Sequence, residues 1–306
     1  MHSLRVLEDL PSGYFVEESP KGILALHTGV ARALHDAGYG PEQDGEVVQS
    51  ELSGRRPLHE FRVGDEAFVV RRFSHGGLLR WLTGVRFFDA ERPFRELILS
   101  ESLRRAGIRT PRVVAARARA ARGYGWLLEV VSRRLEGTVD LGHIIGRARR
   151  GEVDRSAQRR LLRELGLLVA RLHKHGCLHA DLTPNNLLVN LSALEGNAPE
   201  LWVLDLDGST MHDSLSDAQR RKNLRRMYRF VDRRERRYGK ALTLTDYARF
   251  FRGYDESGRS WKADWRAVAA MHSRRSLMHS LGWMFERSFA PRTDPRDLEP
   301  EPASRA

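Results

Sequence analysis

The stretch His179-Ala-Asp-Leu-Thr-Pro-Asn-Asn186 decides how this chain is read. It puts a His, an acid two places on and a carboxamide five after that on one short segment with a Pro between them. Core packing has no use for that order. About twenty residues later comes Val203-Leu-Asp-Leu-Asp-Gly208. Side chains alternate along an extended strand, so Val203, Asp205 and Asp207 are expected on one face. Two carboxylates among Val, Leu and Trp are unfavourable to bury without a cation or a substrate. Carboxylates plus a carboxamide make an all-oxygen set, suited to Mg2+ and poor for zinc. Magnesium held by few protein ligands usually accompanies phosphate.

The half downstream of this stretch is helical. "RSAQRRLLRELGLLVARLHKHG" carries Leu161, Leu165, Leu168 and Leu172 as one stripe, with Gly176 placed to end it. "LLVN" and "LWVLDLDG" read as two short strands, and the remainder is helical and basic. The upstream half alternates in short runs. "PLHEFRV" and "EAFVVRRF" around "VGDEA" predict a hairpin, and "RVVAARARA" and "WLLEVV" two further strands. Between these pairs, "RPFRELILSESLRRAG" has helical spacing and ends at Gly107. "ILALHTGVARALHDAG" is expected to hold one short helix within an N-terminal extension. The divisions that follow are an extension over 1–50, a β-rich lobe with one helix over 51–131, a larger helical lobe over 132–287 and a disordered tail over 288–306, rich in Pro and charge.

The spacing H-x-D-x-x-x-x-N, followed by a strand-borne Asp, resembles the catalytic and metal loops of the protein-kinase-like fold. The expected class is therefore α+β and bilobal. By that resemblance Asp181 accepts or orients the substrate hydroxyl, and His179 braces the loop. Asn186 and Asp205 hold Mg2+, with Asp207 a further candidate for a second ion or a substrate hydroxyl. The first half then has to supply a cation on a strand and a carboxylate on the next helix. Glu96 is the acid. Arg71 or Arg72 stands where Lys is usual, and Arg71 has the better claim because it alternates with Val69 and Phe73. An Arg presents a fixed fork where Lys presents a point charge. Gly54, the one Gly of "SELSGRRPLHEF", is the candidate for a phosphate-cradling loop, and Arg55 and Arg56 flank it.

Three departures separate the chain from protein kinases. Ala180 stands where many of them carry Arg, Thr183 replaces their Lys, and no long segment with A-P-E follows "DLDGS". The details are similar to the lipopolysaccharide kinase family, which includes Kdo kinases and core heptose kinases. "VVRRFSHGGLL", "FRELILSESLRRAGIRTPRVVAA", "HADLTPNN", "LDLDG", "RRKNLRRMYRF" and "LTDYARFFRGY" carry the likeness, over roughly residues 50 to 285. The resemblance implies ATP-dependent phosphorylation of a sugar hydroxyl on a lipid A-linked saccharide, at the cytoplasmic face of an inner membrane. The rival readings are a catalytically silent kinase-like module that binds a lipid saccharide or a partner protein, and an atypical protein kinase. Intact Asp181, Asn186 and Asp205 favour an active enzyme. The Arg in place of Lys and the single Gly of the loop favour a silent module.

Composition bounds the partners. The 306 residues carry a net charge of +12 and are 41% hydrophobic, enough for a substantial core and biased toward anionic partners. Residues 220–237 hold ten Arg or Lys against two acids, with Leu224, Met227, Tyr228 and Val231 forming a stripe. This is a basic amphipathic helix, readable as a solvated face or as contact with an anionic membrane surface. No base-stacking aromatics interleave the arginines, which disfavours nucleic acid. Cys177 is the sole cysteine, so no intrachain disulfide can form and a reducing compartment is expected. The N-terminus carries acids and no long apolar run, and is read as lacking a signal peptide. Nowhere do 18 apolar residues run together, so the expectation is a protein that is soluble or peripherally attached to a membrane.

Overall fold

The computed structural model describes residues 4–45, 48–49, 59–64, 66–74, 85–196 and 199–279. Gly54 and its neighbours, and the tail expected over 288–306, lie outside the described residues. The chain divides into two compact units, residues 1–136 with 206–208, and residues 137–205 with 209–306.

The first unit is built on an antiparallel sheet. In chain order its strands are β1 Tyr14–Ser19, β2 Gly22–His27, β3 Val48–Gln49, β4 His59–Val63, β5 Glu66–Arg72, β6 Val113–Ala120 and β7 Trp126–Arg133. They lie side by side as β1-β2-β6-β7-β5-β4-β3. The expected hairpin is β4 and β5, turned at Gly64, whose φ of 58° is left-handed and suits glycine. The helix Arg92–Arg105 packs Phe94 and Leu97 into the core with Val113, Ala116 and Val130, and buries Leu103.

The first fifty residues differ from expectation. The run expected to hold one short helix does so at Ala31–Asp36, but its first residues belong to the strand β2, Gly22–His27. β2 pairs with β1 on one side and β6 on the other, and Leu24, Ala25 and Leu26 are fully buried. A strand buried on both faces reads as a continuous apolar run, which periodicity alone does not separate from a helix. The residues read as an extension thus complete the sheet.

The second unit centres on the helix Arg155–Lys174. Asp154 caps its start by accepting from the Ser156 and Ala157 N–H groups. Leu161, Leu165, Leu168 and Leu172 are all buried. Gly176 closes the end at φ 80°, where a Cβ would lie 1.8 Å from the His212 carbonyl oxygen. The expected strands are β10 Leu187–Asn190 and β11 Leu201–Val203. β8 Thr138–Asp140, which the sequence did not suggest, pairs with the other side of β10. A second small ladder joins β9 Cys177–Leu178 to β12 Thr210–Met211. The basic helix Asp217–Tyr238 begins with a capping box of Ser216 and Gln219. It buries Asn223, Leu224, Met227 and Val231, leaving Tyr228 half-buried. The helices Leu244–Tyr254 and Trp261–His279 follow.

Candidate active site

In the second unit the segment from His179 to Asn186 runs between β9 and β10. His179 is 1% exposed. Its Nδ1 accepts from the Asp181 N–H at 3.0 Å, so the ring proton sits on Nε2, which donates to the Leu204 carbonyl oxygen at 2.9 Å. Burial, the largest influence on this ring, lowers its pKa and keeps it neutral. One imidazole therefore ties the Asp181 turn to the chain leaving β11. The Leu204 N–H donates to the Asn186 carbonyl oxygen at 2.9 Å, and Ala180 N–H to Ser209 Oγ at 3.0 Å. These bonds stitch residues 179–186 to Leu204 and Ser209.

The Asn186 carboxamide donates from Nδ2 to the Asp181 carbonyl oxygen at 2.7 Å. With its nitrogen turned inward, Oδ1 is the atom available to a cation. The Asp181 carboxylate is about one-third exposed, open to a substrate, and Arg226 Nη1 lies 3.7 Å from its Oδ1. Behind the loop, Asn223 Nδ2 donates to the His179 carbonyl oxygen at 2.7 Å. His173 Nε2 donates to Asn223 Oδ1 at 3.1 Å, and Tyr254 hydroxyl donates to His173 Nδ1 at 2.9 Å. Burial pushes the His173 pKa down to about 4.

The paired-carboxylate reading needs correction. β11 ends at Val203, and Asp205 takes φ 54°, the left-handed region rare for a side chain larger than glycine. The alternation that put Asp205 and Asp207 on one strand face therefore does not apply. Asp207, within the first unit, receives a bidentate grip from Arg92: Nη2 to Oδ2 at 2.6 Å and Nε to Oδ1 at 3.2 Å. Its carboxylate already has a cation.

Also in the first unit, Arg71 Nη2 donates to Glu96 Oε2, and the Glu96 side chain is 6% exposed. Arg72, on the opposite face of β5, donates from Nε to Glu129 Oε1 at 2.7 Å. That carboxylate also takes Arg117, itself 1% exposed, and the Tyr39 hydroxyl at 3.3 Å. The two arginines left open by the sequence thus divide. Arg71 meets the helix acid, with its guanidinium 4.6 Å from the Phe73 ring centre, and Arg72 joins a buried charge cluster. Arg92, Asn223 and Arg226 escaped the sequence reading. Asn223 left one signal, an uncharged polar residue four before Met227 on the buried stripe. Arg92 and Arg226 left none among so many arginines.

Among the described residues no group of three or more His, Cys, Asp or Glu is placed to hold a metal. Asn186 Oδ1 and the Asp205 carboxylate fit a hard cation that takes few protein ligands, as Mg2+ does alongside phosphate.

The fold is of the protein-kinase-like class. Residues 42–254 match the model of the lipopolysaccharide kinase (Kdo/WaaP) family, and the chain belongs to that family. It is a phosphotransferase acting on an alcohol acceptor, and membership of a kinase family implies ATP use. It is 27% identical over 201 residues to a 3-deoxy-D-manno-octulosonic acid kinase of Vibrio vulnificus (strain YJ016), covering 64% of this chain and 78% of that one. To the enzyme of the same description from Stenotrophomonas maltophilia (strain K279a) it is 29% identical over 196 residues, covering 62% and 71%. A solved structure described as WaaP in complex with acyl carrier protein shares the fold, with a TM-score of 0.57 at 21% identity over 84% of this chain and 99% of that one.

Proposed function

We propose that the chain transfers the γ-phosphoryl group of ATP to a hydroxyl of 3-deoxy-D-manno-octulosonic acid (Kdo) on a lipid A-linked saccharide. The observation that carries this reading is the clasp of His179 and Asn186, which fixes Asp181 and leaves its carboxylate accessible. Kdo is favoured over heptose because the curated relatives named above are Kdo kinases. Asp181 accepts the acceptor hydroxyl proton. Arg71, steadied by Glu96, meets the nucleotide phosphates with a planar fork. Asn186 and Asp205 would hold Mg2+, which neutralises charge on the phosphates when bound. Asp207 is left out of the metal set, since Arg92 engages both of its oxygens. The test is incubation with radiolabelled ATP and lipid A precursors with and without Kdo or heptose. Label is expected only where Kdo is present. Label that requires heptose would change the acceptor, and no label on any precursor would refute the kinase reading in favour of a silent module.

The acceptor's lipid also gives the basic helix a role. Among the described residues no helix is long and apolar enough to cross a membrane. Lys222, Arg229, Arg233, Arg236 and Arg237 are exposed while Leu224, Met227 and Val231 of the same helix are buried. We propose that this face meets the anionic membrane surface that presents the lipid-linked acceptor. Changing Arg229, Arg233 and Arg237 to Gln is expected to weaken binding to acidic vesicles by about 3 kcal/mol, at about 1 kcal/mol per cation. Salt should erase the difference, because exposed charges are screened beyond about 8 Å at physiological ionic strength. Vesicle binding unchanged by the substitutions would leave the helix with an ordinary solvated face.

A further inference from the structure

The loop that carries Asp181 has no cation of its own: residues 179–186 contain one carboxylate and no Lys or Arg. That is a difficulty for phosphoryl transfer. The group in flight carries negative charge over its equatorial oxygens, and here it passes beside a carboxylate. A positive charge has to be near Asp181 from outside the loop.

Arg226 lies there. Its Nη1 is 3.7 Å from Asp181 Oδ1, close enough for ion pairing and too far for a direct hydrogen bond. The Arg226 side chain is 36% exposed, so it is open to a substrate. Its position is determined, because Asn223, three residues earlier and on the same side of the helix, is locked to the His179 carbonyl oxygen at 2.7 Å. His173 and Tyr254 in turn hold Asn223. The basic helix cannot slide along the loop without breaking this buried chain.

We propose that Arg226 is a catalytic cation of the transfer step, pairing with the equatorial oxygens of the phosphoryl group as it passes Asp181. The inference rests on the kinase reading above. In the step, the acceptor hydroxyl oxygen bonds to phosphorus while the bond from phosphorus to the bridging oxygen of ADP breaks. The hydroxyl proton goes to Asp181, and the bond's electron pair leaves with ADP. Arg226 takes no proton; it offsets the charge that Asp181 would otherwise repel.

The test compares Arg226→Gln, Arg226→Lys and the exposed control Arg159→Gln, using radiolabelled ATP and a deacylated Kdo-bearing acceptor that removes any membrane contribution. Arg226→Gln is expected to lower kcat about 10²-fold, the effect of losing one charge-stabilising donor, with KM values changed by less than about threefold. Arg226→Lys should recover about tenfold of that loss, since the charge survives. The melting temperature and nucleotide affinity should match those of the Arg159→Gln control. A double substitution separates two roles. In an Asp181→Ala background, Arg226→Gln should still reduce the residual rate about tenfold if the guanidinium acts on the phosphoryl group. No further loss there would make Arg226 only a positioning residue for Asp181 and overturn the proposal. A kcat equal to the control, or a loss that tracks a fall in melting temperature, would also overturn it. An inactive wild-type enzyme would instead remove the kinase reading on which it stands.

Discussion

The Asp181 loop and the strand β5 are held by opposite kinds of force. Around the loop nearly every anchor is a neutral hydrogen bond to backbone: His179 to Leu204, Asn186 to Asp181, Asn223 to His179 and Ala180 to Ser209. Around β5 the anchors are charge pairs: Arg71 with Glu96, Arg72 with Glu129, and Arg117 with Glu129 and Asp44. Neutral bonds position a carboxylate without neutralising it. Paired charges fix where a guanidinium lies.

The largest effect is expected from Asp181→Ala. Turnover should fall by about 10²–10⁴-fold, the range for a positioned acid–base group, while nucleotide still binds. Turnover within threefold of wild type would take Asp181 out of the mechanism. Next come the two arginines of β5. Arg71→Met should lower kcat/KM for ATP by about 10²-fold, as for other charge-stabilising donors, with little change in melting temperature. Arg71→Lys should keep part of the activity, because charge remains although the bidentate fork is lost. Arg72→Met should do the reverse, lowering stability more than catalysis, because it leaves Glu129 short of a partner in a buried cluster. Equal profiles for the two variants would erase the distinction between the faces of β5. A smaller effect, about tenfold or less in activity, is expected for Arg92→Met. A collapse of Mg2+-dependent nucleotide binding with Asp207→Ala but not Asp205→Ala would return Asp207 to the metal set.

The smallest effect at neutral pH belongs to His173. Its pKa is about 4 in the folded chain against an ordinary 6.5, so the unfolded chain binds the extra proton first. Stability should therefore be intact above pH 6.5 and fall as pH drops toward 4, by at most about 3 kcal/mol. Melting temperature against pH should show that slope, and His173→Gln should flatten it. An unchanged slope would mean that other groups govern acid unfolding.

How much was legible follows from what each feature depends on. The loop residues were readable because hydrogen bonds within a short segment require set spacings: Asn186 reaches Asp181 five places back, and His179 Nδ1 reaches the N–H two places on. The hairpin of β4 and β5, the stripe of the Arg155–Lys174 helix and the buried face of the basic helix were readable because periodicity reports burial. β2 was not, because a strand buried on both faces loses the alternation that marks it.

The order of chemical groups was set by the sequence alone: an acid, a carboxamide and a further acid at fixed spacing, a cation on a strand and a carboxylate on the next helix. Only the tertiary structure decided which of many arginines meets which carboxylate. Arg71 and not Arg72 pairs with Glu96, Arg92 engages Asp207 across 115 residues, and Arg226 comes to Asp181 across 45. The physical reason is that charge acts through space and carries no periodicity. In a chain with 52 Lys and Arg, a partner far along the sequence is chosen by the fold that brings it within a few ångströms.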